Sequence, residues 1–154
     1  MTELNVLTAE AAATALGRCG QAARGFLGLD PVTQNDALLV LRLRAEEALV
    51  FRYGGGNAPV ASVLGAVWNP HNPRQAVVSS TTEDPEALTA LLDFLRTHRR
   101  CVGAVGVCAS ADPAHAGFAA TGFRPVGVLR AHFFRSGAYL DATVHHRSLE
   151  PAWR

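Results

Sequence analysis

The hydrophobic pattern changes its period several times along this chain. Residues 8–16 are rich in alanine, end in Leu16 and begin at Thr8, which predicts a helix capped by the Thr8 hydroxyl. Gly17, Gly20, Gly25 and Gly28 punctuate the next stretch, and a second short helix is expected around residues 21–27. In residues 37–43, Leu39, Leu41 and Leu43 recur at every second position, which predicts a strand. Residues 48–53 predict another. Gly54-Gly55-Gly56 with Asn57 reads as a hairpin turn rather than a phosphate cradle, because it lies between two strand patterns. A longer strand over 59–68 then runs into Asn69-Pro70-His71-Asn72-Pro73, a run of turn formers.

The middle of the chain is its most regular part. Residues 74–80 are apolar at the centre and β-branched, so they predict a strand. Thr81, Thr82, Glu83 and Asp84 supply capping groups, and Pro85 sits where a first helical residue is expected. Leu88, Leu91, Leu92 and Leu95 come next at helical spacing, and the helix predicted over 84–99 ends in His98-Arg99-Arg100, cations that suit the C-terminal end of the dipole. Residues 102–107 predict a buried strand of small residues, parallel to the strand 75–80 that the helix connects to it. A helix over 112–120 ends at Gly122 with Phe123 behind it, a C-cap glycine and its hydrophobic partner. Residues 124–132 and 139–147 flank Ser136-Gly137 and predict a terminal hairpin. This order predicts one α/β domain of the α+β type over residues 1–154. Its sheet is mixed, mostly antiparallel, with about six or seven strands flanked by helices.

Composition narrows the setting. The formal net charge is +1, which gives no bulk attraction to nucleic acid, and all fourteen Lys+Arg residues are Arg. Cys19, Cys101 and Cys108 are odd in number and widely spaced, which fits reduced thiols in a cytoplasmic protein better than a disulfide framework. No apolar run approaches the ~18 residues of a membrane span, so no membrane partner is expected.

The C-terminal third carries a family resemblance. Gly122-Phe123-Arg124-Pro125-Val126-Gly127-Val128-Leu129-Arg130, then Ser136-Gly137-Ala138-Tyr139-Leu140-Asp141 and Arg147-Ser148-Leu149, resemble the closing signature of the GCN5-related N-acetyltransferases. The order of elements agrees along most of the chain. The resemblance implies an acyl-CoA-dependent N-acyltransferase, with acetyl-CoA or another acyl-CoA as cofactor and a small-molecule or peptide amine as acceptor. In that family the cofactor lies between the splayed fourth and fifth strands, and a glycine-rich loop holds its diphosphate on backbone amides. Here the loop falls on Glu83-Asp84-Pro85-Glu86-Ala87-Leu88, with no glycine, one residue without an N–H and three carboxylates. The family's pantetheine-holding Asn falls on Ala111, and its acid Tyr falls on Phe118, which lacks the hydroxyl. These departures imply a second reading, a non-catalytic member that keeps the fold to bind a small molecule or a protein partner.

The resemblance places the cofactor on Val78, Ser79, Ser80, Thr81, Thr82, Glu83, Asp84, Ala87, Leu88, Ala111 and Phe118, and Gly103 and Gly106 are expected to leave room for its thin arm. The acceptor pocket is expected at Trp68, His71, Tyr139 and Asp141. Catalytic candidates are His71, a turn imidazole; Cys108, a thiol at a strand end; and Tyr139. No metal site is predicted: His132, His145 and His146 lack ligand spacing, and residues 145 and 146 point to opposite faces of a strand. His132-Phe133-Phe134 on a hairpin whose two faces cannot both be buried predicts a homodimer.

Overall fold

The computed structural model describes residues 3–54 and 62–150. The chain builds one seven-stranded sheet from β1 (Leu4–Val6), β2 (Leu49–Tyr53), β3 (Ser62–Asn69), β4 (Asn72–Ser80), β5 (Gly103–Cys108), β6 (Arg124–Arg135) and β7 (Ala138–Ser148). The strand order is β1-β2-β3-β4-β5-β7-β6, and among the described residues only β4 and β5 pair in parallel. This is the mixed, mostly antiparallel sheet that the element order predicts. Residues 55–57 of the expected glycine turn, and residues 59–61 of the expected third strand, lie outside the described residues.

Among the described residues four α-helices cover the sheet: α1 (Ala9–Cys19), α2 (Asp36–Ala45), α3 (Pro85–His98) and α4 (Pro113–Ala120). Alternation along the strands sends neighbouring residues to different cores. Val50 and Val63 join Ala12, Ala13, Leu16, Leu39 and Leu43 under α1 and α2. Phe51, Leu64, Ala76 and Val78 join Leu88, Leu91, Leu92 and Leu95 under α3, and Phe118 of α4 completes that side. α3 forms where its caps predict: Asp84 Oδ1 accepts the Glu86 amide at 3.0 Å, and Pro85 occupies the first turn.

Residues 37–43 are a correction, for they belong to helix α2 and not to a strand. Asn35 accepts the Leu38 amide at 2.9 Å and starts the helix, while Leu39 and Leu43, four apart, are buried. Leu41, which completes the apparent alternation, is 65% exposed. Leucine and arginine are strong helix formers, and a buried pair at i, i+4 with a side-chain cap outweighs a three-residue alternation. The helix expected around 21–27 divides into two single 3-10 turns, Gly20–Ala23 and Phe26–Gly28, with Gly25 between them at φ 78°. That left-handed step ends the first turn and carries the chain back over the sheet.

Candidate functional site

The parallel pairing of β4 and β5 stops at Val78 opposite Gly106. Beyond it β4 continues with β3, where Ser79 and Ser80 face Gly65 and Leu64. β5 continues with β7, where Val107 and Cys108 face Val144 and Thr143. Two strands that bond to different neighbours diverge, so the sheet opens as a V at the C-terminal ends of β4 and β5. Such an opening between parallel strand ends is a recurrent ligand position in α/β sheets.

The V has two sides. Toward α1 it is nearly filled: Ser79, Ser80, Val107, Cys108, Phe26 and Phe133 are among the residues around a cavity of about 20 Å³, room for one water. Ser79 Oγ accepts the Leu27 amide at 2.9 Å, which pins the Phe26–Gly28 turn over the opening. Toward α4 it leads into a groove of about 530 Å³ flanked by residues 81–83 and by Ser110, Ala111, Asp112, Pro113, His115 and Ala116.

The loop between β4 and α3 is closed on itself. The Thr81 amide donates to Val63 O, Thr82 N to Ser80 Oγ and Asp84 N to Thr82 Oγ1. Glu86 N goes to Asp84 Oδ1 and Leu88 N to Asp84 O, while Pro85 has no N–H. Among the described residues, Glu83 and Ala87 alone in this segment keep backbone N–H groups without a partner. α4 presses on the loop: a Cβ on Gly117 would lie 3.2 Å from Thr82 O and 2.7 Å from Leu88 Cδ1. Only glycine lets the helix come this close.

The loop between β5 and α4 works differently. Asp112 does not cap its helix. Its carboxylate accepts the Ala109 amide at 3.0 Å and grips Arg135, whose second nitrogen lies 3.2 Å from Oδ2. Arg135 also donates to Arg24 O at 3.1 Å and stacks over Phe133 at 4.6 Å, while Arg24 pairs with Asp30 at 3.2 Å. This largely buried fork ties the end of β6, the start of α4 and the turn after α1 together around the opening.

Beneath that fork lies a cluster that no spacing in the sequence announces. Cys108 Sγ is 3.7 Å from His145 Nε2, and the His115 ring meets the His145 ring at 5.1 Å. One ligating atom from each of the three residues falls within 4.8 Å of the other two. Burial pushes the Cys108 thiol up to about 12; the Asp112 carboxylate adds to this and Arg135 opposes it. Burial, then the neighbouring His115, holds His145 below the ordinary imidazole value. A protonated thiol beside a neutral imidazole is no ready nucleophile. The register Gly106↔His145 is the signal that reveals the cluster, and it becomes readable only once β5 is known to pair with β7.

The residues expected to hold a cofactor divide. Ser79, Ser80, Thr81, Thr82 and Glu83 line the opening or its groove, and Ala111 lines the groove from the α4 side. Asp84 is the cap of α3. Val78, Ala87 and Leu88 have their side chains in the core. Phe118 is 1% exposed, and its ring fills the space over Gly106, 2.4 Å from where a Cβ would stand. The room expected at Gly106 for a thin arm is therefore taken by Phe118.

Trp68, His71, Tyr139 and Asp141, expected around the acceptor, do not line the opening or its groove. Trp68 pairs with Ala76 and His71 lies in the β3–β4 turn, so both stand at the end of β4 away from the opening. Trp68 packs against the α3 core under Arg99, 4.5 Å from its ring. Tyr139 is 70% exposed near the tip of the last hairpin, against Phe134. Asp141 accepts the Ala131 amide at 2.9 Å and pairs with Arg130, closing the bulge where Ala131 takes φ 50°. The Ala131 amide, helped by Arg130, holds the Asp141 carboxyl below the usual carboxylate range.

Comparison with solved structures identifies the fold. Spermidine N-acetyltransferase from Vibrio cholerae, in complex with CoA and spermine, superposes with a TM-score of 0.73 at 15% identity, over 96% of this chain and 95% of that one. RimL, a ribosomal L7/L12 alpha-N-protein acetyltransferase in complex with coenzyme A, gives 0.70 at 18% identity, over 96% and 93%. A probable acetyltransferase from Staphylococcus epidermidis gives 0.71 at 13% identity, over 96% and 99%. No family model and no curated protein matches the sequence. The chain has the GCN5-related N-acetyltransferase fold.

Proposed function

We propose that the protein is an acyl-CoA-dependent N-acyltransferase whose acyl-pantetheine arm enters the V between β4 and β5 from the groove beside α4. The observation that carries this reading is the end of parallel pairing at Val78 and Gly106, with an open groove leading to it. In that slot an acceptor amine forms a C–N bond at the thioester carbonyl, the C–S bond breaks, and CoA leaves as the thiol after taking up the amine's proton. Proximity supplies much of such a reaction; Phe118 lacks the Tyr hydroxyl, and its ring has to move off Gly106 to admit the arm. The two free amides of Glu83 and Ala87 and the carboxylates of Glu83, Asp84 and Glu86 give the diphosphate a weak hold, so the arm carries the binding. The acceptor class is a small or peptide amine, in keeping with the polyamine and protein acetyltransferases that share the fold. A second copy of the chain pairs through β6, the sheet edge, where Val126, Val128 and Phe134 are exposed.

A second reading, a non-catalytic binder, is favoured by one feature: the Thr82, Asp84 and Glu86 amides of the loop that would meet a diphosphate already have partners. Incubation with acetyl-CoA and a panel of polyamines and peptide N-termini separates the two. The enzyme reading expects N-acetylated product by mass spectrometry together with free CoA thiol. The binder reading expects thiol release no faster than spontaneous hydrolysis.

A further inference from the structure

We propose that Cys108, His115 and His145 form a binding site for a borderline-soft divalent cation, zinc first. One thiolate and two imidazoles are the ligand types zinc selects. They arrive from three elements: the end of β5, the first turn of α4 and the middle of β7. Their ligand atoms lie within 4.8 Å of one another. Zinc–sulfur and zinc–nitrogen bonds of about 2.3 and 2.0–2.1 Å at a tetrahedral angle put sulfur and nitrogen about 3.6 Å apart. Cys108 Sγ and His145 Nε2 stand at 3.7 Å without any rearrangement.

A second observation points the same way. His145 is 2% exposed, and its Nδ1 is buried with no partner; the Nδ1 of His115 is buried and unpartnered too. Two orphaned imidazole nitrogens in one cluster are a cost without a compensating contact. A cation held by Cys108 Sγ and His145 Nε2 would give the buried His115 Nδ1 a partner, while His145 Nδ1 lies on the far side of its ring from Cys108. The thiol, which burial keeps protonated, would ionise on coordination and release its proton to solvent. Asp112, the nearby carboxylate, has both oxygens committed to Arg135 and the Ala109 amide, so it does not serve as a fourth ligand. The fourth position falls to water or to a bound ligand, the open arrangement of catalytic zinc. An entry path exists, because His115 also lines the groove between the β4–α3 loop and α4.

The site is independent of acyl transfer, and its test reads metal alone. The full chain, stripped with chelator, is titrated with Co²⁺ and followed by absorption, then with Zn²⁺ in competition and by calorimetry. The expected result is one Co²⁺ per chain with a thiolate-to-cobalt charge-transfer band and intense visible bands of a four-coordinate site, both displaced by Zn²⁺. Cys108→Ser should abolish the charge-transfer band, and His145→Asn should weaken zinc by about a hundredfold or more. His115→Ala, on the half-exposed side of α4, tests the third ligand in a variant that folds even if the buried substitutions do not. Thermal melting of each variant without metal checks the fold, and zinc should raise the melting temperature of the unsubstituted chain only. No cobalt band, or binding that survives all three substitutions because it occurs at other histidines, overturns the proposal.

Discussion

Two strand-to-helix junctions border the opening, and both begin their helix with the same dipeptide. Asp84-Pro85 starts α3 and Asp112-Pro113 starts α4. Asp84 spends its carboxylate locally, on the Glu86 amide two residues away. Asp112 turns away from its own helix and holds Arg135, twenty-three residues on. The first junction is a finished, self-contained cap. The second leaves its helix end uncapped by a side chain and becomes the post to which the last hairpin is tied. An identical local signal thus produces closure in one place and a long-range tie in the other. What separates them is whether a buried cation is within reach.

The largest expected effect comes from breaking the tie. Arg135→Ala leaves Asp112 largely buried without its partner and should cost about 3 kcal/mol or more, measured as a shift in the urea midpoint. The hairpin should loosen with it, seen as faster amide exchange in β6. An effect under about 1 kcal/mol would mean the fork behaves like a surface pair.

Next comes the place where the two junctions touch. Gly117→Ala drives a methyl into Leu88, Thr82 and Glu83 and should cost about 1–3 kcal/mol by overpacking, unless α4 moves off the loop. If it moves, the groove widens and the cost falls below that range, which calorimetric melting would reveal.

Smaller still, Asp84→Ala should cost about 1 kcal/mol, the loss of one cap, and Asp84→Asn much less because asparagine caps as well. Asp112→Asn is the contrast, for it keeps the shape and removes the charge that Arg135 needs. It should cost more than Asp84→Asn under the same denaturant assay. Equal costs would erase the distinction between the junctions.

The smallest effect belongs to an exposed aspartate on the same hairpin. Asp141 has its carboxyl held low by the Ala131 amide, so the unfolded chain takes up the proton first as pH falls. Its contribution is present above the ordinary carboxylate value of 3.8 and is lost as pH drops through the folded value. Wild type and Asp141→Asn should therefore differ most near neutrality and converge in acid, in urea midpoints measured across that range.

Much of this was legible in the residues. The caps and leucines of α3, the small-residue strand β5 and the Gly122 terminus are local signals, and the structure obeys them. Leu39, Leu41 and Leu43 misled because a period of two is also what a leucine-rich helix shows when one leucine faces water. Trp68 and His71 stand apart from the opening because of chain direction: they lie next to β4 in sequence but precede it, and the opening is at its other end. The Cys108–His115–His145 cluster was hidden because its members come from three elements, and their contact is set by the β5–β7 register.

On the proposed reading, the V between β4 and β5 accepts the acyl-pantetheine arm while the cap of α3 holds the diphosphate weakly. Calorimetric titration of the protein with acetyl-CoA and, separately, with acetyl-pantetheine tests this directly. Both should bind, with dissociation constants within about tenfold of each other, a difference of ~1.4 kcal/mol. Acetyl-CoA binding more than about a hundredfold tighter would show a working diphosphate cradle on the residues 83–88 amides, and binding of neither ligand would remove the acyl-CoA reading altogether.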